Sequence, residues 1–228
     1  MSCSTKGELY AAVNEFRNDE FIDSPSDVIG ECVRHDWAKI EKVDFKTKGL
    51  KGMSYLAAND YENNVIMLRS SLPNDEMNFV CGHEVIHVKF HQHYRIKTFS
   101  CFDKIKANQN SFLEWQANEG SAELIVPMQE FLPKIKEAFP HLKTWNDFHQ
   151  FKFELAEHFN VTDAVITYRL ESLKYELWQY LNGTPISKIK ILSHTQQQAR
   201  GIIVKSYNDV EDTLWQEEFG GYNIDIFA

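Results

Sequence analysis

The segment His83-Glu84-Val85-Ile86-His87 constrains this chain more than any other. Histidines four residues apart on an α-helix lie on one face, about 6 Å apart along the axis. Two imidazoles so spaced can share one zinc ion. Glu84, beside the first of them, can reach a water on that ion as a general base. A catalytic zinc takes three protein ligands and leaves one position for water, so a further ligand has to come from elsewhere in the chain.

The nearest candidates are histidines. His91 lies about 12 Å from His83 along a continuous helix, too far to share an ion with both. His93, six residues after His87, has the spacing of H-E-x-x-H-x-x-G-x-x-H, in which a glycine breaks the helix so that the third histidine swings back. Phe90 stands at that glycine position and is poorly suited to a positive-φ turn. Both histidines therefore read as solvent-edge residues. Acids on a second helix are better placed. Glu114 and Asn118 are four apart and share a face, so a ligand at Glu114 could be backed by Asn118 hydrogen-bonding a ligand histidine. Glu119 points about 140° away from Glu114, so the two cannot serve one metal. The E-x-x-x-N spacing is like the E-x-x-x-D of thermolysin-type zincins, whose ligand set is two histidines and a glutamate. On periodicity alone, Glu114 and Glu119 could equally be helix-surface acids. Cys81, two residues before His83, reads as a small buried residue rather than a ligand.

Composition narrows the setting. The 228 residues are 43% hydrophobic and 13% aromatic, enough for a real core, and carry a net charge of −9. An acidic chain is a poor candidate for non-specific binding to nucleic acid or an anionic membrane. Four cysteines at 3, 32, 81 and 101 form no C-x-x-C pair and suggest no disulfide framework. No secretory signal and no membrane-length apolar run is visible. The expectation is a soluble cytoplasmic protein with reduced thiols.

Periodicity places the motif. Residues 6–18 read as a helix striped by Leu9, Val13 and Phe16, and a second helix starts at Ser24-Pro25 and ends near His35-Asp36. The period then falls to two. Ile40, Val43 and Phe45 form one strand; Leu50, Met53, Tyr55 and Ala57 a second; Val65 to Leu68 a third. Short links suggest an antiparallel meander. Asn74 is a candidate cap for the helix that carries the motif to about Gln92. Residues 94–110 read as a loop or short hairpin. Helices follow over 112–126, then 128–139 with a break at Pro133, then 144–158 and 163–181, the last closed by Asn182-Gly183. In the tail, 189–191 and 202–204 could pair as a hairpin and 209–219 form a short helix, the whole packed on the body as an extension. The expected organisation is a metal-binding domain over 1–140, a helical, helix-turn-helix-like subdomain over 141–183 and a C-terminal extension over 184–228.

With these stations set out, the chain resembles the ImmA/IrrE family of zinc metallopeptidases. The resemblance rests on Ser24-Pro25, Gly52 on its strand, Phe79 to His87, and Glu114-Trp115-Gln116-Ala117-Asn118 continuing to Pro127. A weaker likeness lies in Phe159 to Thr162 with Tyr168-Arg169-Leu170. It covers about residues 20–175. It implies an α+β, zincin-like fold, a small antiparallel sheet packed on helices with a helical C-terminal part. It also implies His83, His87 and Glu114 as ligands of Zn2+ and Glu84 as general base. Three positions depart from the family pattern: Val80 replaces a common threonine, and Gly120-Ser121 replace a Phe-Ala pair. An internal helix glycine costs about 1 kcal/mol against alanine.

The implied chemistry is peptide-bond hydrolysis, and members of the family typically cut a helix-turn-helix repressor, so the expected partner is a protein substrate of that kind. Tyr94, His141, His149 and Tyr168 are all chemically able to stabilise an oxyanion. A zinc-bound but catalytically silent regulatory protein is the competing reading. A DNA-binding regulator is a weaker one, since residues 144–183 hold six acids against three bases.

Overall fold

A computed structural model describes residues 3–20, 22, 27–57 and 63–220. The fold is mixed α+β, with ten helices and one four-stranded sheet among the described residues. It packs as two compact units, residues 1–127 with 159–162, and residues 128–158 with 163–228. The boundary expected after residue 140 falls inside the second unit, because the helix over Met128–Ala138 packs on the helix over Lys174–Leu181.

In the first unit, α1 (Lys6–Asp19) begins on a capping box in which Thr5 accepts from the Glu8 amide and Glu8 reaches back. Ser24 and Pro25, the expected start of the second helix, lie outside the described residues. The helix seen there, α2 (Val28–Arg34), is capped by Asp27 accepting from the Gly30 amide. The strands are β1 (Lys39–Val43), β2 (Leu50–Tyr55), β3 (Val65–Arg69) and β4 (Thr98–Phe102), in the order β1-β3-β2-β4. The expectation of a wholly antiparallel meander is corrected. β3 inserts between β1 and β2 and runs parallel to β1, and the other two pairings are antiparallel. The reason lies in residues 44–49, which pass the C-terminal end of β3 instead of turning tightly. Arg69 at that end donates from Nε to Leu50 O (2.7 Å), from one terminal nitrogen to Phe45 O (3.1 Å) and from the other to Thr47 O (2.8 Å). One guanidinium thus satisfies two carbonyls of the crossing loop, Phe45 O and Thr47 O, and that of Leu50 where β2 begins.

β4 lies where the sequence suggested a loop or short hairpin. Phe99 and Cys101 alternate inward and are buried, and β2 supplies its partner strand. β1 and β4 are the edges.

α3 (Asn74–Phe90) carries the motif. Asn74 is its first residue, not its cap; Pro73 holds the cap position without a side-chain bond, and Asp75 and Glu76 in the first turn complement the helix dipole. From Met77 to Val88 almost every side chain is buried, the pattern of a helix enclosed on all sides. It packs on α2, on β2, β3 and β4, and on α4 (Ser111–Ile125), whose N-terminus is capped by Asn110. The α3–α4 crossing is close. A Cβ on Gly82 would lie 2.5 Å from Ser121 Oγ, and one on Gly120 would lie 3.1 Å from the Ile86 side chain.

The second unit is helical: α5 (Met128–Ala138), α6 (Trp145–Phe159), α7 (Asp163–Ser172), α8 (Lys174–Leu181), α9 (His194–Ala199) and α10 (Tyr207–Phe219). α5 runs through Pro133 without the expected break. The acceptor Pro133 leaves free is the carbonyl of Gln129, an exposed residue of the first turn, where water can serve it. The expected single helix over 163–181 is interrupted at Leu173, although hydrogen bonds continue across from Leu173 to Arg169 and from Leu177 to Leu173. The expected tail hairpin is absent. Ser193 and Gln196 make a capping box that starts α9 in its place, and Ile203 is 95% exposed. α10 forms as expected and packs on α7; Lys152 pairs with Glu211 at 3.0 Å and Asn208 donates to Thr167 O at 3.0 Å.

Arg69→Met is expected to lower stability by about 1–3 kcal/mol, since three carbonyls lose a charged donor. Urea unfolding of the variant beside the wild type measures this.

Candidate metal centre

Helical periodicity brings His83 and His87 to one face of α3, and the close α3–α4 crossing brings Glu114 up to both. His83 Nε2 lies 3.1 Å from His87 Nε2 and 3.2 Å from Glu114 Oε2; His87 Nε2 lies 3.8 Å from the same oxygen. All three residues are buried, and one donor atom from each falls within 4.8 Å of the others. Lone pairs converging at these separations need a proton or a cation among them. Two imidazoles and a carboxylate are the donor set that suits zinc, so the residues present fit that ion.

Each histidine is supported through its other ring nitrogen. His83 Nδ1 lies 2.9 Å from Asn118 Oδ1, the contact expected of Asn118. His87 Nδ1 lies 2.7 Å from His91 Nδ1, and His91 Nε2 lies 3.0 Å from Gln116 Oε1. His91 is buried, which corrects its reading as a solvent-edge residue. The distance argument that keeps it from being a ligand stands; its place is behind His87. His93 is exposed, as expected. Phe99 of β4 stacks on the His87 ring at 4.0 Å between centroids.

Glu84 faces the sheet. β2 turns Leu50, Gly52 and Ser54 inward; of the residues expected to form this strand, Leu50 is buried, whereas Met53 and Tyr55 lie on the other face. Ser54 Oγ donates to Glu84 Oε2 at 2.6 Å. Glu84 Oε1 is buried without a hydrogen-bond partner. A Cβ on Gly52 would lie 3.2 Å from that oxygen and 2.6 Å from Val80, so only glycine lets β2 approach α3 here. A second grouping, His83, Glu84 and Cys101, also has its donor atoms within 4.8 Å of one another. Burial pushes the Cys101 thiol up in the metal-free protein.

Charge follows from this enclosure. Burial pushes Glu84 up to about 7, opposed by His83 and by the Ser54 hydrogen bond. Burial lowers His87 to about 3 and His91 to about 4, so both are neutral imidazoles. Burial works to raise Glu114, but hydrogen bonding to His83 and His87 prevails and brings it to about 2. Burial likewise opposes protonation of His83, and the Glu114 contact outweighs it, raising His83.

Glu119 lies away from the cluster and accepts from Tyr10 OH, with Lys6 Nζ at 3.9 Å, joining α1 to α4. Cys81 is fully buried on α3, as expected. Of the four oxyanion candidates, Tyr94 packs edge-on against His91, while His141, His149 and Tyr168 belong to the second unit.

The family model for Peptidase M78, the IrrE N-terminal-like domain, matches residues 38–171. The chain belongs to this family. The matched span contains the whole sheet, α3, α4 and every residue of the cluster. At the level of the family, a metallopeptidase type of function and a protein substrate follow. No curated protein matches the chain. No helix among the described residues is long and apolar enough to cross a membrane.

Ser54→Ala would remove the side-chain hydrogen bond to the buried Glu84 carboxylate. The metal-free variant is expected to lose about 1–3 kcal/mol, and a double-mutant cycle with Glu84→Gln to show that the two losses are not additive. Thermal and denaturant unfolding of the four proteins test this.

Proposed function

We propose that this protein is a zinc-dependent endopeptidase in which His83, His87 and Glu114 hold the ion and Glu84 is the general base. The observation that carries this reading is the convergence of the three donor atoms within 4.8 Å, beside a buried carboxylate with one unpartnered oxygen. Zinc held by His83, His87 and Glu114 would supply a water of pKa about 7 and a Lewis acid for the peptide carbonyl. Glu84 takes the proton of the attacking water on its free oxygen and delivers it to the leaving amine, while Ser54 keeps the other oxygen fixed. A carboxyl poised near 7 suits both halves of that transfer.

β4 is the edge strand beside the cluster, since Phe99 stacks on His87. A substrate peptide pairs with this edge, as extended peptides do with exposed strands. Ser100 O, on the outer edge, now accepts from Gln109 Nε2 at 2.6 Å, so an entering strand has to take that carbonyl from Gln109. The resemblance to the ImmA/IrrE family supports a helix-turn-helix repressor as the substrate, and the four free cysteines suit a cytoplasmic setting.

Metal analysis tests the ligand set. His83→Ala, His87→Ala and Glu114→Ala are each expected to lose zinc that the wild type holds one to one; zinc retained by Glu114→Ala contradicts the assignment. Glu84→Gln is expected to bind zinc and to cleave a partner regulator at least about 100-fold more slowly. Cleavage at the wild-type rate in that variant sinks the mechanism.

A further inference from the structure

His87 is held from behind by a directional chain of hydrogen bonds, and its direction can be worked out atom by atom. The chain starts at the backbone carbonyl of Cys3, which can only accept. Gln116 Nε2 donates to it, so the amide end of Gln116 is committed and its Oε1 faces His91 Nε2 at 3.0 Å. An amide oxygen can only accept, so His91 Nε2 carries a hydrogen. A neutral His91 then has a bare Nδ1, 2.7 Å from His87 Nδ1, and two ring nitrogens at that distance share one hydrogen. His87 Nδ1 is therefore the donor, and a neutral His87 presents a bare Nε2 to the cluster. Cys3, Gln116, His91 and His87 are all buried, so water does not compete at any link.

We propose that His91 and Gln116 are positioning residues that fix the metal-binding tautomer of His87. This rests on the reading of His83, His87 and Glu114 as a metal centre. Ring orientation is not what the chain controls, because Phe99 stacks on the His87 ring with 14° between the planes and holds it already. What Phe99 cannot decide is which ring nitrogen bears the hydrogen, and the wrong choice points an N–H at the ion. His83 meets the same need more simply, through the Asn118 Oδ1 contact. The two ligand histidines thus depend on one helix, α4, which also provides Glu114.

The test is a zinc titration, against a chelating competitor, of the full-length wild type, His91→Phe, His91→Asn and Gln116→Leu. Thermal unfolding of each metal-free protein and absorption spectra of the cobalt-loaded proteins accompany it. His91→Phe keeps ring volume but cannot accept from His87; asparagine restores an acceptor oxygen near the place of Nδ1. His91→Phe is expected to weaken zinc binding by about 10–100-fold and to reduce the visible cobalt bands. His91→Asn is expected to recover most of both, and Gln116→Leu to weaken binding because His91 loses its fixed acceptor. Folded His91→Phe that binds zinc as tightly as the wild type overturns the proposal. So does an equal loss in His91→Asn and His91→Phe, which marks a packing role. Should His91→Phe not fold, unchanged affinity in Gln116→Leu overturns it. Wild type that takes up no zinc overturns the metal-centre reading itself, whereas a zinc-binding wild type beside unaffected variants overturns only this proposal.

Discussion

The candidate site exists because α3 and α4 cross with almost nothing between them. Gly82 leaves room for Ser121 and Ile125, and Gly120 leaves room for Ile86. A larger residue at either glycine would push the helices apart, and Glu114 would retreat from His83 and His87, which it now meets at 3.2 and 3.8 Å. This gives Gly120 and Ser121 a physical account. Glycine inside a helix costs about 1 kcal/mol against alanine. Here Ile86 fills the space over Gly120, and Ser121 Oγ donates to Phe79 O at 3.0 Å, so the crossing is bonded as well as close. The propensity cost is local, whereas the benefit is the meeting of two helices that carry separate parts of one cluster.

The sheet closes the same space from the other side. Gly52 and Ser54 are the two small inward residues of β2, one making room for Glu84 and the other bonding it, and β4 adds Phe99 against His87. Burial on this scale makes charge expensive and position decisive. It keeps His87 and His91 neutral and raises Glu84, while Glu114 stays ionised through its contacts with the two histidines. Groups this unequal in charge, a few ångströms apart, mark the cluster as a candidate functional site.

Much of this was legible in the sequence where the signal was local. The motif helix, the stripe on α1 and the helical pattern of α4 all follow from spacing and capping. Glu114 and Asn118 could be named because residues four apart share a helix face. What escaped was non-local. β1 and β3 pair in parallel because residues 44–49 pass the end of β3, and no periodicity shows that. β4 was hidden in a polar stretch with only two inward residues. The inner face of β2 carries no hydrophobic signal at Gly52 and Ser54, and that gap in an apolar alternation is the trace of Glu84. Gln116, two residues beyond Glu114 and so off its face, gave no sign that it would reach His91. His91 was judged by its distance from His83, which excludes it as a ligand and says nothing of support behind one.

X-ray absorption at the zinc edge of the loaded full-length protein tests the central claim most directly, because two buried groupings share His83 and only one contains a thiol. Binding by His83, His87 and Glu114 predicts a first shell of nitrogen and oxygen alone, at about 2.0–2.1 Å, with the outer-shell signature of two imidazoles. A sulfur scatterer at about 2.3 Å would place the ion on Cys101 and contradict the account.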